Sequence, residues 1–324
     1  MAAQRSVSGE IGRFADLFEA IVANIEQAIQ GKAEPVRLAL VCLLAEGHLL
    51  IEDVPGVGKT SMAKALAASL QLSHHRIQFT PDLLPSDVTG VTVFNRANGS
   101  FDFRPGGVFA NIVLGDEINR ASPKTQSALL EAMEERQVTV DATTYPLASP
   151  FMVIATQNPI EHEGTYPLPE SQLDRFLMRI GMGYPDRAAE VAMLDVHAAT
   201  SAVDRVRPVA TGRDITEMVN VARLVHVAPI LKGYLVDLAS ATRRHPSASI
   251  GVSPRATLAL QRAARAYAAS IGREYIVPDD IKALAGPVLS HRLVLTPEAE
   301  LGGSTPDQVL GDVLASVPVP TGRP

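Results

Sequence analysis

The chain has 324 residues, of which 46% are apolar, 20% are charged and one is cysteine, and its formal net charge is −6. That size and apolar content suffice for a large core and about two domains, the mild acidity gives no general attraction to nucleic acid, and a lone Cys42 excludes an internal disulfide and fits a reducing compartment. The longest apolar runs, residues 38–45 and 49–51, fall far short of the ~20 residues a membrane span needs, and no basic segment followed by an apolar stretch opens the chain, so a cytoplasmic protein without membrane insertion is expected.

Residues 1–10 are small and polar and are expected to fray. Phe14, Leu17, Phe18, Ile21 and Ile25 then recur at three- and four-residue spacing, which predicts a first helix, and residues 35–45, opened by Pro35, predict a second. Short apolar strands alternate with helices from there: strand 49–51, helix 59–70, strand 112–114, helix 123–134, strand 151–155. The alternation is that of an α/β fold with a parallel sheet flanked by helices. Two stretches interrupt it. Residues 91–94 and 100–103 flank Asn98-Gly99, a pair suited to a hairpin turn that needs positive φ, and residues 138–140 and 144–147 predict a second hairpin. After Tyr184-Pro185-Asp186 the strand signals stop and Ala-rich helical patterns take over, so a boundary is placed there: an α/β domain over 1–183 and an all-α domain over 184–324. A last helix is predicted over 306–316, beyond Gly302-Gly303, with 317–324 irregular.

The segment Asp53-Val54-Pro55-Gly56-Val57-Gly58-Lys59-Thr60-Ser61 sits between a strand and a helix, the context a phosphate-binding loop requires. Gly56 and Gly58 let backbone N–H groups turn inward around phosphate oxygens, and the amides opening the next helix add favourable potential. Pro55 to Ser61 therefore form the candidate nucleotide site, with Lys59 on the β- and γ-phosphates and the Thr60 hydroxyl on Mg²⁺. Asp53 departs from the strict pattern, which has glycine there. A second strand ends at Asp116-Glu117, where ligands bind in α/β sheets. Asp116 suits a metal role and Glu117 the polarisation of an attacking water; a solvated acidic pair is the alternative. A third strand is followed by Thr156-Gln157-Asn158-Pro159. The Asn158 amide can reach a γ-phosphate or its attacking water, although Asn before Pro is also ordinary turn chemistry.

Residues 53–61, the run Leu-Gly-Asp-Glu-Ile-Asn-Arg-Ala-Ser-Pro-Lys-Thr-Gln-Ser-Ala-Leu-Leu-Glu-Ala-Met over 114–133, and the run Ala-Thr-Gln-Asn-Pro-Ile-Glu-His-Glu-Gly-Thr-Tyr-Pro-Leu-Pro-Glu-Ser-Gln-Leu-Asp-Arg-Phe over 155–176 resemble the MoxR-type AAA+ ATPases. The likeness runs from about residue 20 almost to the end of the chain, and an Asp before Val-Pro-Gly is usual in that family. It implies a P-loop AAA+ core with two β-hairpin inserts and a C-terminal helical lid. It places Lys59 and Thr60 in Walker A, Asp116 and Glu117 in Walker B, and Asn158 at sensor 1. It further makes Arg175 the arginine finger acting on a neighbouring subunit's ATP and Arg255 sensor 2; from its spacing, one helical turn from Arg175, Arg179 is a second finger candidate. Ser253-Pro254 reads as an N-cap and first-turn proline, which would fix the direction of Arg255. The resemblance also implies ATP and Mg²⁺ as ligands and a homo-oligomeric ring, most often a hexamer. The expected work is chaperone-like remodelling or activation of client proteins, such as cofactor insertion or complex assembly, beside a partner with a von Willebrand factor A domain.

Other features carry less. His74-His75 and Glu161-His162-Glu163 lack the spaced ligand set of a zinc site and read as exposed loops, residues 161–165 are a candidate pore or partner face, and Arg243-Arg244-His245 reads as a solvated helix end. A metal-chelatase motor subunit, a DNA-translocating motor and a nucleotide-gated scaffold are the alternative functions. The hairpin tips carry one arginine between them, against the DNA motor, and the complete set of Lys59, Asp116, Glu117 and Asn158 speaks against the scaffold.

Overall fold

Four parallel strands, each nearly uniformly apolar where it is interior, carry the candidate site. The computed structural model describes residues 2–97, 99–158, 165–185, 187–188, 190–191 and 202–320. The strands are β1 (Leu49–Glu52), β2 (His74–Gln78), β5 (Ile112–Asp116) and β8 (Met152–Gln157), in the spatial order β2-β5-β8-β1 with β9 (Met178–Ile180) beyond β1. β1 pairs with β8, β8 with β5 and β5 with β2, all in parallel register. Leu49, Leu50, Ile51, Ile112, Val113, Met152, Val153 and Ile154 are fully buried, as strands covered on both faces must be.

By its contacts the chain divides into two units. One comprises Ala20–Leu168 and Ile180–Thr216 and holds β1, β2, β5 and β8; the other comprises Met1–Glu19, Pro169–Arg179 and Glu217–Pro324.

In the first unit the helices Ala33–Leu44, Lys59–Ser69 and Pro123–Glu135 lie within a residue or two of their expected spans. Cys42 is buried and not in a disulfide. Both hairpins are present. β3 (Gly90–Asn95) pairs antiparallel with β4 (Ser100–Pro105), and β6 (Gln137–Val140) with β7 (Thr143–Pro146). A stack of Phe103 on Tyr145, ring centroids 3.9 Å apart, ties one hairpin to the other. Asn98, half of the expected turn pair, lies outside the described residues.

Three expectations are corrected. The first helix spans Ala2–Glu26 and so takes in most of the segment expected to fray; its Ala, Gln and Arg residues are good helix formers. His74-His75 open strand β2 rather than a loop, with their side chains exposed. An edge strand pairs through its backbone and needs no apolar alternation, which hid it in the sequence. The C-terminal part is not wholly helical: Ala248–Ile250 and Val294–Leu295 form a short antiparallel ribbon among its helices. Those runs are too short to stand out as strands.

In the second unit, Ser253 caps the helix Pro254–Ser270 by accepting from the Ala256 N–H at 3.1 Å, so Arg255 does sit in a first turn. Arg243 and Arg244 end the helix Pro229–Arg244. The predicted last helix is Pro306–Ser316. Among the described residues, no helix is long and apolar enough to cross a membrane.

Candidate active site

Between strand β1 and the helix Lys59–Ser69 the chain must reverse closely around its own amides, and two glycines allow it. Gly56 and Gly58 have φ of +87° and +96°, a region side chains rarely enter. No atom lies within 4 Å of where a Cβ on Gly56 would stand, so its requirement is conformational and the space beside it is open. The loop therefore presents amides and the helix N-terminus to a cleft of about 300 Å³, lined by Pro55, Gly56, Gly58, Lys59, Thr60, Ser61, Asp116, Glu117 and Asn158. Three chain segments expected to meet there do so. Val57 is the one loop residue that turns inward, and it is buried. A loop of amides and one lysine facing two carboxylates is a fitting cradle for a polyphosphate with a divalent cation.

The acidic wall is held by a network that the sequence did not reveal. Thr156, wholly buried at the end of β8, donates its hydroxyl to Asp116 Oδ1 at 2.6 Å and accepts the Glu117 N–H at 2.9 Å. Glu117 takes a left-handed backbone conformation, φ +57°, that few non-glycine residues adopt; the Thr156 bond holds it there. From edge strand β2, Arg76 donates from Nε and Nη2 to Asp116 Oδ2 at 3.1 and 2.7 Å, and Gln78 Nε2 donates to Glu117 Oε2 at 2.9 Å. Arg120 reaches the same Glu117 oxygen at 3.0 Å. The parallel register that sets Gln78 beside Asp116 aims these side chains at the site, and only recognition of β2 as a strand could have disclosed it.

Asn158 follows β8 directly and is 6% exposed. Pro159 and residues 161–164 fall outside the described residues, so the Glu161-His162-Glu163 run and most of the suggested pore or partner face have no structural account. Among the described residues, no group of three or more His, Cys, Asp or Glu is arranged to hold a metal ion. A cation held at Asp116 and the Thr60 hydroxyl would draw its remaining ligands from substrate and water, as Mg²⁺ commonly does.

Arg175, Arg179 and Arg255 belong to the second unit. There Arg292, 3% exposed at its side chain, donates to Asp174 Oδ1 at 2.7 Å, to the carbonyl of Phe176 at 2.7 Å and to that of Asp174 at 3.1 Å. His291 joins it, Nε2 donating to the Phe176 carbonyl at 3.1 Å. Burial, then the neighbouring Arg292 charge, pushes the His291 imidazole well below its usual range and keeps it neutral. Arg175 is therefore carried on a segment gripped at Asp174 and Phe176 on either side of it. Nothing in the local pattern around His291-Arg292 signalled this role.

Two family models match the chain: an ATPase family associated with various cellular activities (AAA) over residues 48–178, and an AAA lid domain over 240–313. The chain is 50% identical to the uncharacterised YeaC of Bacillus subtilis over 93% of its own length and 94% of that protein. It is 40% identical to the chaperone MoxR1 of Mycobacterium tuberculosis, covering 93% of this chain and 82% of that one, and 32% identical to MoxR of Paracoccus denitrificans, covering 92% and 95%. The crystal structure of a candidate ATPase from Cytophaga hutchinsonii superposes with a TM-score of 0.92 at 37% identity, over 99% of this chain and all of that one. Matches of this extent, on a fold whose cleft brings the phosphate loop to Asp116, Glu117 and Asn158, lead to one conclusion: the chain is an ATPase of the AAA+ class and belongs to the MoxR family.

Proposed function

We propose that the protein is a Mg²⁺-dependent ATPase that works as a homo-oligomeric ring, a hexamer, to remodel or activate client proteins in the cytoplasm. The observation that carries the catalytic part is the single cleft lined by Lys59, Thr60, Asp116, Glu117 and Asn158. In this reading residues 1–183 are the nucleotide-binding domain and 184–324 the lid. The Pro55–Ser61 loop binds the phosphates through its amides and Lys59. Thr60 and Asp116 hold Mg²⁺, which when bound offsets phosphate charge and fixes the phosphate oxygens in place. Glu117 draws a proton from water as the water oxygen bonds to the γ-phosphorus and the bond to the β–γ bridging oxygen breaks, giving ADP and phosphate. Asn158 orients that water. Arg175 of a neighbouring subunit stabilises the charge on the transferring group, and Arg255 is the sensor 2 residue of the family. The client-directed role is supported by the likeness to a relative named as a chaperone. The von Willebrand factor A partner, and cofactor insertion or complex assembly as the task, rest on the family resemblance.

Lys59→Ala tests the phosphate site by calorimetry. Removing the one loop cation that faces several phosphate charges should weaken ATP by about a hundredfold or more, and unchanged affinity would make the loop merely structural. Thr156→Val tests the acidic wall. It keeps the side chain's shape but removes both hydrogen bonds, so turnover should fall about tenfold while ATP affinity holds. A variant as fast as the parent would mean that Asp116 and Glu117 need no such alignment.

A further inference from the structure

Asp53 stands where the strict phosphate-loop pattern has glycine, and nothing in the proposed reaction uses it. Its backbone φ is not in the left-handed region, so the position does not require glycine. Every polar group it has is engaged. The backbone N–H donates to the Gln157 carbonyl at the end of β8 at 3.3 Å, and the backbone carbonyl accepts from Lys59 Nζ at 2.7 Å. Carboxylate Oδ1 accepts the Val54 N–H at 2.8 Å, and Oδ2 accepts the N–H groups of Met182 and Gly183, both at 2.6 Å. The segment thus caught, just past strand β9, is held from its other side by Lys32. This lysine is 6% exposed and donates Nζ to the carbonyls of Gly183 at 2.9 Å and Tyr184 at 2.6 Å. An anion takes the N–H groups of this short segment and a buried cation takes its carbonyls, so each end of its peptide dipoles meets the charge it favours. Gly183, whose N–H and carbonyl are both gripped, turns with φ of +64°.

We propose that Asp53 is a positioning residue for nucleotide binding: together with Lys32 it fastens the root of the phosphate loop to Met182–Gly183–Tyr184, and so fixes the carbonyl that holds Lys59 and the place from which the loop amides meet phosphate. The proposal deepens the phosphate-site reading of Lys59 and rests on it. It runs against the simple motif, because restoring the pattern's glycine should impair the loop. Glycine removes three accepted hydrogen bonds and frees the backbone at the loop root. The loop would then have to be ordered by the nucleotide itself, which weakens ground-state and transition-state binding alike.

The test uses the full chain with Asp53→Gly and the near-isosteric Asp53→Asn, whose amide has a single acceptor oxygen where Asp53 accepts at two. ATP affinity and KM should weaken about tenfold in each, with kcat changed less than about threefold. Backbone amide exchange at Met182 and Gly183, measured without nucleotide, should quicken about tenfold or more when their acceptor is lost. Parent-like affinity together with parent-like exchange would overturn the proposal. A lowered melting temperature with unchanged affinity would overturn it as well, since Asp53 would then be only structural. Lys59→Ala separates the two readings: if that variant binds ATP normally, the phosphate-site reading fails, while the exchange of Met182 and Gly183 still reports whether Asp53 holds them.

Discussion

Glu117→Gln is expected to bind ATP within about twofold of the parent and to lose about 10²–10⁴-fold in turnover. The amide has nearly the carboxylate's shape and can sit among the same Gln78, Arg120 and Thr156 contacts. What it loses is the ability to accept a proton from water. Because that step occurs only on the way to the transition state, kcat should carry the whole effect and ground-state binding almost none. The amide presents one acceptor oxygen where the carboxylate presents two, but Arg120 and Gln78 both donate to the same Glu117 Oε2, so that single oxygen can keep both bonds. Binding is therefore to be measured by calorimetry on the same preparation as turnover. Parent-like turnover would remove Glu117 from the chemistry and leave Asp116 as the only functional carboxylate of the cleft.

The core sheet was legible because its strands announce themselves. A strand buried on both faces is a short run of Val, Ile and Leu between turn signals, and residues 49–51, 112–114 and 151–155 have that form. Strand β2 does not. Its His74, His75 and Arg76 are exposed and polar because it is an edge, yet its Arg76 and Gln78 reach Asp116 and Glu117. The motif residues of the cleft were legible for a related reason: an amide cradle needs glycine, and phosphate needs lysine, at fixed spacing. Their supports were not. Thr156, Arg76 and Gln78 act through neighbours brought close only by strand register, and Asp53 and Lys32 grip a segment about 130 and 150 positions further along the chain. Arg292 likewise holds the segment bearing Arg175 from well over a hundred residues away. Long-range hydrogen bonds to backbone leave no periodic trace in sequence, because any segment offers the same carbonyls and amides.

The arrangement of Arg175 leads to the expectation that separates a ring motor from a solitary ATPase. Asp174 is paired with the buried Arg292, and the Phe176 carbonyl accepts from Arg292 and His291, so the backbone on both sides of Arg175 is anchored. Replacing Arg175 by Ala should leave those anchors, and with them folding and nucleotide binding, intact. If the guanidinium serves a neighbouring subunit's ATP, turnover should nevertheless fall by about 10³-fold, the scale of an arginine supplied in trans. A loss of turnover alone would not distinguish a neighbour's site from its own. Mixing does. Arg175→Ala and Lys59→Ala are each expected to be nearly inactive, but in a mixed ring some interfaces pair an intact Lys59 loop on one subunit with an intact Arg175 on the next. Activity should partly return, rising and then falling as the mixing ratio is varied, with its maximum at an intermediate ratio. Were Arg175 to act only on its own subunit's nucleotide, no mixed interface would hold a complete site. Background activity at every ratio, with subunit exchange confirmed by labelled chains, would exclude the shared site for Arg175. The same experiment would then be repeated with Arg179→Ala; that residue, expected one helical turn away, lies instead four positions further along in strand β9, because the helix before Arg175 ends at Leu173.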